Sequence, residues 1–214
     1  MSEAGTADLD IDRGSARIEL VAAILLGIAG VLTAWAAYNA ALTDGDALKG
    51  YTQSTTTTAD ANFFYEKGNQ QYSSDSATFL QYALEVERGN EEIALAIRNS
   101  LFTLELAAAV DAWDADTSDT QPVSPLDPSL YQLESLTEAE RLATEAQAQF
   151  AAAQEVDDAG DKFELAAVFL AVALFFAGIA SLFKVHRVRV ALLIGSALLI
   201  VPGIIAIVQG HVAT

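Results

Sequence analysis

Three long apolar runs constrain the fold of this chain more than any other feature of its sequence. Residues 165–183 and 190–208 are each nineteen residues long without a charge, and residues 20–38 form a third such run. A helix rises about 1.5 Å per residue, so about 20 apolar residues cross the roughly 30 Å hydrocarbon core of a bilayer. A helix also satisfies its own backbone amides there. We therefore predict three transmembrane helices, over residues 18–38, 163–183 and 190–208.

Acidic residues are concentrated between the first two runs. Residues 39–162 contain 23 Asp and Glu but only six Lys and Arg, so this segment carries −17 of the net charge of −18. Such a surface repels nucleic acid, which we do not expect as a partner. With only four lysines in the chain, the composition is typical of halophilic prokaryotes. We predict an acidic extracytoplasmic domain over residues 39–162.

Basic residues predict the orientation of the chain in the cell membrane, because positive charges near short loops stay on the cytoplasmic side. The residues that carry this prediction are Arg13, Arg17, Lys184, Arg187 and Arg189. They place a tail (residues 1–17) and a turn (residues 184–189) in the cytoplasm. Residues 39–162 and the C-terminal tail, residues 209–214, then lie outside.

The first apolar run has a competing interpretation as a cleaved signal peptide, because residues 34–36 (Ala-Trp-Ala) match a small-x-small cleavage site. Against this, the run exceeds the roughly 7–15 residues of a signal core. Its leader also contains acids as well as arginines. We therefore predict an uncleaved anchor, with Trp35 and Tyr38 at the outer interface, where amphipathic rings prefer to lie.

Polar side chains recur at helical spacing in the segment that follows the first run. They are Tyr51, Thr58, Asn62, Tyr65, Asn69 and Tyr72. The spacing predicts a helix that continues from the first span, with these residues as an oligomer seam that fixes register and partner number. The alternative is a polar, partly ordered connector.

Further helices are predicted after this segment. One covers residues 77–88 and ends at Gly89-Asn90. The next covers about 91–113 and has two apolar stripes, which predict a broadly buried helix. The first stripe is Ile93, Ile97, Leu101, Leu104 and Ala108, and the second is Leu95, Phe102, Leu106, Ala109 and Trp113.

A proline-rich acidic loop over residues 114–128 follows the second of these helices. A last helix starts near Pro128 or Thr137 and runs past Gly160 into the second span. The fold class is thus all-α: three transmembrane helices, with a helical-bundle extracytoplasmic domain inserted between spans 1 and 2.

No pattern of residues points to catalysis, a cofactor or a metal. Cysteine is absent, which removes thiolate chemistry and disulfides, and the two histidines, His186 and His211, fall on opposite sides of the predicted membrane. No phosphate loop, zinc helix or nucleophile elbow occurs. We therefore expect no enzymatic activity, no cofactor and no metal site.

The arrangement resembles a family of uncharacterised prokaryotic three-span membrane proteins with a helical extracytoplasmic segment. The stretches that carry the resemblance are residues 34–38, 112–128 and 173–179. It implies a shared architecture over nearly the whole chain, and no activity, ligand or site residue.

The function expected from these features is assembly. We predict a non-enzymatic membrane protein whose ectodomain mediates self-assembly or serves as an accessory subunit, with the bilayer, a second copy or another membrane protein as partners. The alternative is a homo-oligomeric cation channel with an acidic vestibule, its pore lined by hydroxyls such as Thr33, Ser181 and Ser196. A sensor input domain is a third interpretation, and it requires a separate output partner.

Overall fold

The chain folds almost entirely into helices. A computed structural model describes the backbone of residues 4–213 and the side chains of residues 18–212. About 86% of the chain is helical, and the described residues contain no strand, so the predicted all-α class is confirmed. The helices are α1 (Ala4–Glu87), α2 (Glu91–Leu101), α3 (Leu104–Ala115), α4 (Glu134–Ala180) and α5 (His186–Ala213).

Three of these helices, α1, α4 and α5, are long and apolar enough to cross a membrane, as a multi-pass membrane protein requires. The helix α4 ends at Ala180, before the predicted end of the second span. There the backbone N–H and the hydroxyl of Ser181 both donate to the Gly178 carbonyl, at 3.2 and 2.7 Å, and satisfy it. Because α5 begins at His186, most of the predicted basic turn, residues 184–189, is helical.

The predicted continuation of the first span as one helix is confirmed, because α1 runs from Ala4 to Glu87 without a break. Hydroxyl side chains support its polar part by donating to carbonyls one turn earlier, as Thr58 does to Ser54 at 2.9 Å. The helix ends in a Schellman motif, in which the Asn90 N–H donates to the Glu85 carbonyl at 2.9 Å. Gly89 makes this possible because it adopts a φ of 76°.

The chain divides into two compact units. Unit 1 comprises residues 1–51 and 150–214, and unit 2 comprises residues 52–149. The core of unit 1 consists mainly of buried alanines, together with the larger side chains of Leu170 and Ile200. In this core the Ser196 hydroxyl donates to the Ala173 carbonyl at 2.8 Å, so a polar side chain is satisfied inside an apolar setting.

The core of unit 2 is formed where α3 meets the segment that precedes α4. Its buried members are Leu106, Ala109, Val110, Tyr131 and Leu133. The helix α4 starts at Glu134, so the predicted start near Pro128 is wrong. Asp127 instead closes a single turn, because its carbonyl accepts from the Tyr131 N–H at 2.9 Å before the chain enters the core.

The single helix predicted over about 91–113 is wrong, because the structure has two helices, α2 and α3, that meet at a bend. Phe102 is extended at the bend, with a ψ of 134°. Thr103 then caps α3, since its hydroxyl oxygen accepts from the Leu106 N–H at 3.2 Å. This cap satisfies one of the N–H groups that the break leaves free at the start of α3.

Candidate interaction surface

Small residues hold α1 and α4 together at close range within unit 1. A Cβ atom added at Gly50 would lie 2.8 Å from the Cβ of Ala153, and one added at Gly160 would lie 2.8 Å from the Thr43 hydroxyl. Only glycine fits at such contacts without a shift of the neighbouring helix. The two backbones therefore approach as closely as side chains permit.

The same type of contact joins α1 and α4 within unit 2. The Ser54 hydroxyl donates to the Ala146 carbonyl at 2.8 Å, a direct bond between the two helices. Further along α1, a Cβ added at Gly68 would lie 2.4 Å from the end of the Leu136 side chain. A buried seam of small residues therefore replaces the larger apolar contacts usual between helices.

The buried seam was not predicted, although a regular spacing of its residues is visible in the sequence. On α1 the residues concerned recur every seven positions as Ala40, Ala47, Ser54, Ala61, Gly68 and Asp75, and on α4 as Ala139, Ala146 and Ala153. A seven-residue repeat is the pattern of helices that wrap around each other. The sequence prediction identified a neighbouring polar face of α1 instead.

The predicted oligomer seam lies beside the buried seam on α1. Tyr51 is half-buried, contacts the Phe150 ring at 5.2 Å and donates to Asp157 at 3.2 Å. Tyr72 contacts the Tyr131 ring at 6.0 Å and stays exposed. The other four members, Thr58, Asn62, Tyr65 and Asn69, are exposed. All six residues lie in α1, and their role between copies stays a prediction.

The predicted membrane anchors differ in their surroundings. Trp35 packs edge-on against Phe163 at 5.9 Å, and Tyr38 is exposed. Lys184 and Arg187 are exposed, whereas Arg189 is largely buried and pairs with Glu19 at 3.4 Å. The side chains of the two remaining anchors, Arg13 and Arg17, lie outside the described residues.

A buried carboxylate organises the core of unit 2. Asp75 is almost fully buried and accepts hydrogen bonds from the Tyr131 hydroxyl at 2.5 Å and the Thr103 hydroxyl at 2.7 Å. Burial and the bond to Asp75 raise the pKa of Tyr131, which stays a neutral donor. Both donors are structural, because they satisfy a charge that would otherwise be costly to bury. No sequence signal links residues 56 positions apart.

One of the two apolar stripes predicted to be buried remains exposed, and we call its four large residues the apolar strip. They are Ile93, Ile97, Leu101 and Leu104. Leu104 is 87% exposed, Leu101 55% and Ile93 52%, whereas Ile97 is partly covered. The second stripe supplies the buried Leu106 and Ala109, but the prediction that it is buried throughout is wrong, because Leu95 is 56% exposed.

The bend between α2 and α3 is held by Arg98, which fixes the shape of the strip. Its guanidinium forms an ion pair with Asp111 of α3 and lies 5.9 Å above the Phe102 ring. One side chain thus ties α2 to both the bend and the next helix. A contiguous exposed apolar patch in a segment outside the predicted spans is a candidate interaction site.

The three hydroxyl groups proposed to line a pore form hydrogen bonds with backbone carbonyls of the same chain. The Thr33 hydroxyl donates to the Ala29 carbonyl at 2.6 Å, and the Ser181 and Ser196 hydroxyls donate to carbonyls of α4. Ser196 is also fully buried inside unit 1, so the prediction that it lines a pore is wrong. Among the described residues, no group of His, Asp and Glu is arranged to hold a metal ion.

Comparisons with protein-family models, curated proteins and solved structures give no match to this chain. The site must therefore be interpreted from its own geometry. That geometry offers the exposed apolar strip and a largely exposed polar face of α1, the Tyr/Asn face, formed by the six residues of the predicted oligomer seam. Both surfaces suit contact with another protein.

Proposed function

We propose that this chain is a non-enzymatic integral membrane protein whose acidic segment, residues 39–162, mediates assembly. The partner is a second copy of the chain or a membrane protein for which the chain serves as an accessory subunit. The apolar strip carries the proposal, because burying one large aliphatic side chain contributes about 1.5–3 kcal/mol to an interface. The surrounding acidic surface opposes unspecific association and so favours a specific contact.

The proposed orientation places the assembly segment outside the cell. The basic residues near 184–189 lie at the cytoplasmic end of α5, and residues 39–162 and 209–214 lie on the opposite side. The chain has no cysteine, so single cysteines can report sidedness. Val123→Cys, at a fully exposed loop position, should react with an impermeant maleimide in intact cells, and Leu182→Cys, exposed between α4 and α5, should react only after lysis.

The acidic composition and the resemblance to a family of uncharacterised prokaryotic three-span proteins support a halophilic membrane setting for this assembly. A dense carboxylate surface repels itself unless salt screens it. The resemblance contributes an architecture and no activity, so the proposed function depends on the strip and the Tyr/Asn face alone.

Purification in a mild detergent at high salt tests the proposal. Mass photometry gives the copy number, and mass spectrometry identifies any protein that copurifies in a fixed ratio. A defined oligomer or a stoichiometric partner supports assembly, whereas a monodisperse monomer with no companion contradicts it. If the oligomer is a closed ring, cation flux into liposomes distinguishes the channel alternative, which predicts flux, from a scaffold, which predicts none.

A further inference from the structure

An apolar groove lies between α1 and α5 in unit 1, with a volume of about 420 Å³. Its walls are formed by Ile18, Val21 and Leu25 from α1 and by Val190, Leu193 and Ile194 from α5. Both helices are long and apolar enough to cross a membrane. From residue 18 to residue 25 a helix rises about 10 Å, which is enough to hold the upper part of an acyl chain.

A partly satisfied guanidinium directly precedes one of the residues that line this groove. Arg189 directly precedes Val190, and its partner Glu19 directly follows Ile18. The Arg189 side chain is only 12% exposed, and its buried Nε has no hydrogen-bond partner among the described residues. Its contact with Glu19, at 3.4 Å, is longer than the 2.7–3.2 Å of a good N–H···O bond.

The surroundings of Arg189 favour an anion as a further partner of its guanidinium. Guanidinium donors are planar and match the oxygen pairs of phosphate. Arg189 lies in the first turn of α5, where the helix dipole stabilises negative charge. Lys184 and Arg187 add two exposed positive charges nearby in the chain. In a chain of net charge −18, this cluster is an unusual place where an anion is attracted.

We propose that the groove binds an anionic phospholipid, with the phosphate on Arg189 and an acyl chain between α1 and α5. The charge at one end and the uniformly apolar walls along the rest match the two parts of such a lipid. Glu19 is exposed and competes for the guanidinium, so it turns toward water when the phosphate binds. This inference does not depend on the proposed assembly.

Native mass spectrometry of the full chain tests the proposal. The detergent-solubilised protein is titrated in parallel with palmitoyl-oleoyl phosphatidylglycerol and palmitoyl-oleoyl phosphatidylcholine, and retained lipid is counted after gentle activation. We expect one phosphatidylglycerol to be retained with about tenfold preference, the effect of one charge-assisted contact. Equal retention of the two lipids would overturn the proposal and leave a groove that is merely filled by bulk lipid.

Two matched variants separate a binding role of Arg189 from a structural one. Arg189→Gln should abolish the preference, whereas Lys49→Gln, the same charge change at an exposed residue outside the basic cluster, should keep it. Glu19→Gln removes the competing carboxylate and should raise retention of phosphatidylglycerol. If the ion pair only stabilises the fold, Glu19→Gln and Arg189→Gln would instead lower retention equally, and the proposal would be wrong.

Discussion

The close contact between Gly50 and Ala153 makes a quantitative prediction about a single methyl group. A Cβ added at Gly50 would lie 2.8 Å from the Ala153 Cβ and 3.4 Å from its Cα, whereas one added at Gly45 would have nothing within 4 Å. Both glycines lie inside α1. Gly45→Ala is therefore a matched control for Gly50→Ala, with the same chemical change in the same helix.

The two substitutions should have opposite signs. In a helix, Ala is favoured over Gly by about 0.8–1 kcal/mol, so Gly45→Ala should stabilise the fold by about that amount. At Gly50 the same gain is opposed by overpacking, which costs about 1–3 kcal/mol when a rigid neighbour cannot yield. We expect Gly50→Ala to be less stable than Gly45→Ala by about 1–3 kcal/mol.

Chemical unfolding in detergent, followed by circular dichroism at the helix band, measures these differences. The double variant Gly50→Ala with Ala153→Gly removes the opposing methyl group and should recover most of the lost stability. If Gly50→Ala stabilises the protein as much as Gly45→Ala does, the two helices do not approach at this point and the reasoning fails.

Three further predictions concern the acidic segment, residues 39–162. The pKa of Tyr131 is raised above its ordinary value of about 10, so its contribution to stability is complete below pH 10 and is lost as the pH rises further. Tyr131→Phe should therefore flatten the dependence of stability on alkaline pH. An unchanged dependence would show that Tyr131 does not cause the loss of stability at alkaline pH. Thr103→Val removes the α3 cap and a donor to Asp75 and should cost about 1–3 kcal/mol in urea unfolding, against little change for the exposed Thr120→Val. Lowering salt from molar to millimolar concentration should reduce the melting temperature, because the −17 of residues 39–162 is then unscreened; a melting temperature independent of salt would contradict the halophilic interpretation.

The sequence predicts the helices well where one physical requirement dominates. The apolar runs must be helical in a bilayer, and Gly89 readily adopts the positive φ at which α1 ends. The contacts that hold unit 2 together carry no comparable signal. Asp75 and Tyr131 meet only through the tertiary fold, and Asp75 is hidden among 29 acidic residues.

The candidate site shows the limit of periodicity most clearly. The spacing of Ile93, Ile97 and Leu101 correctly identifies one face of a helix, but periodicity does not say what covers that face. After the bend at Thr103, Leu106 and Ala109 enter the core, whereas Leu104 stays outside it with the rest of the strip. A stripe predicted as core is thus a surface, and this difference is the basis of the proposed assembly.

The apolar strip is tested most directly by mass photometry of Leu104→Glu beside Val123→Glu. Both positions are exposed in the single chain, at 87% and 100%, and both variants add one negative charge. Burying Leu104 in an interface is worth about 2 kcal/mol, or roughly 30-fold in Kd. The account predicts that Leu104→Glu dissociates the complex and Val123→Glu does not. Equal assembly of both variants and the unaltered chain would contradict it.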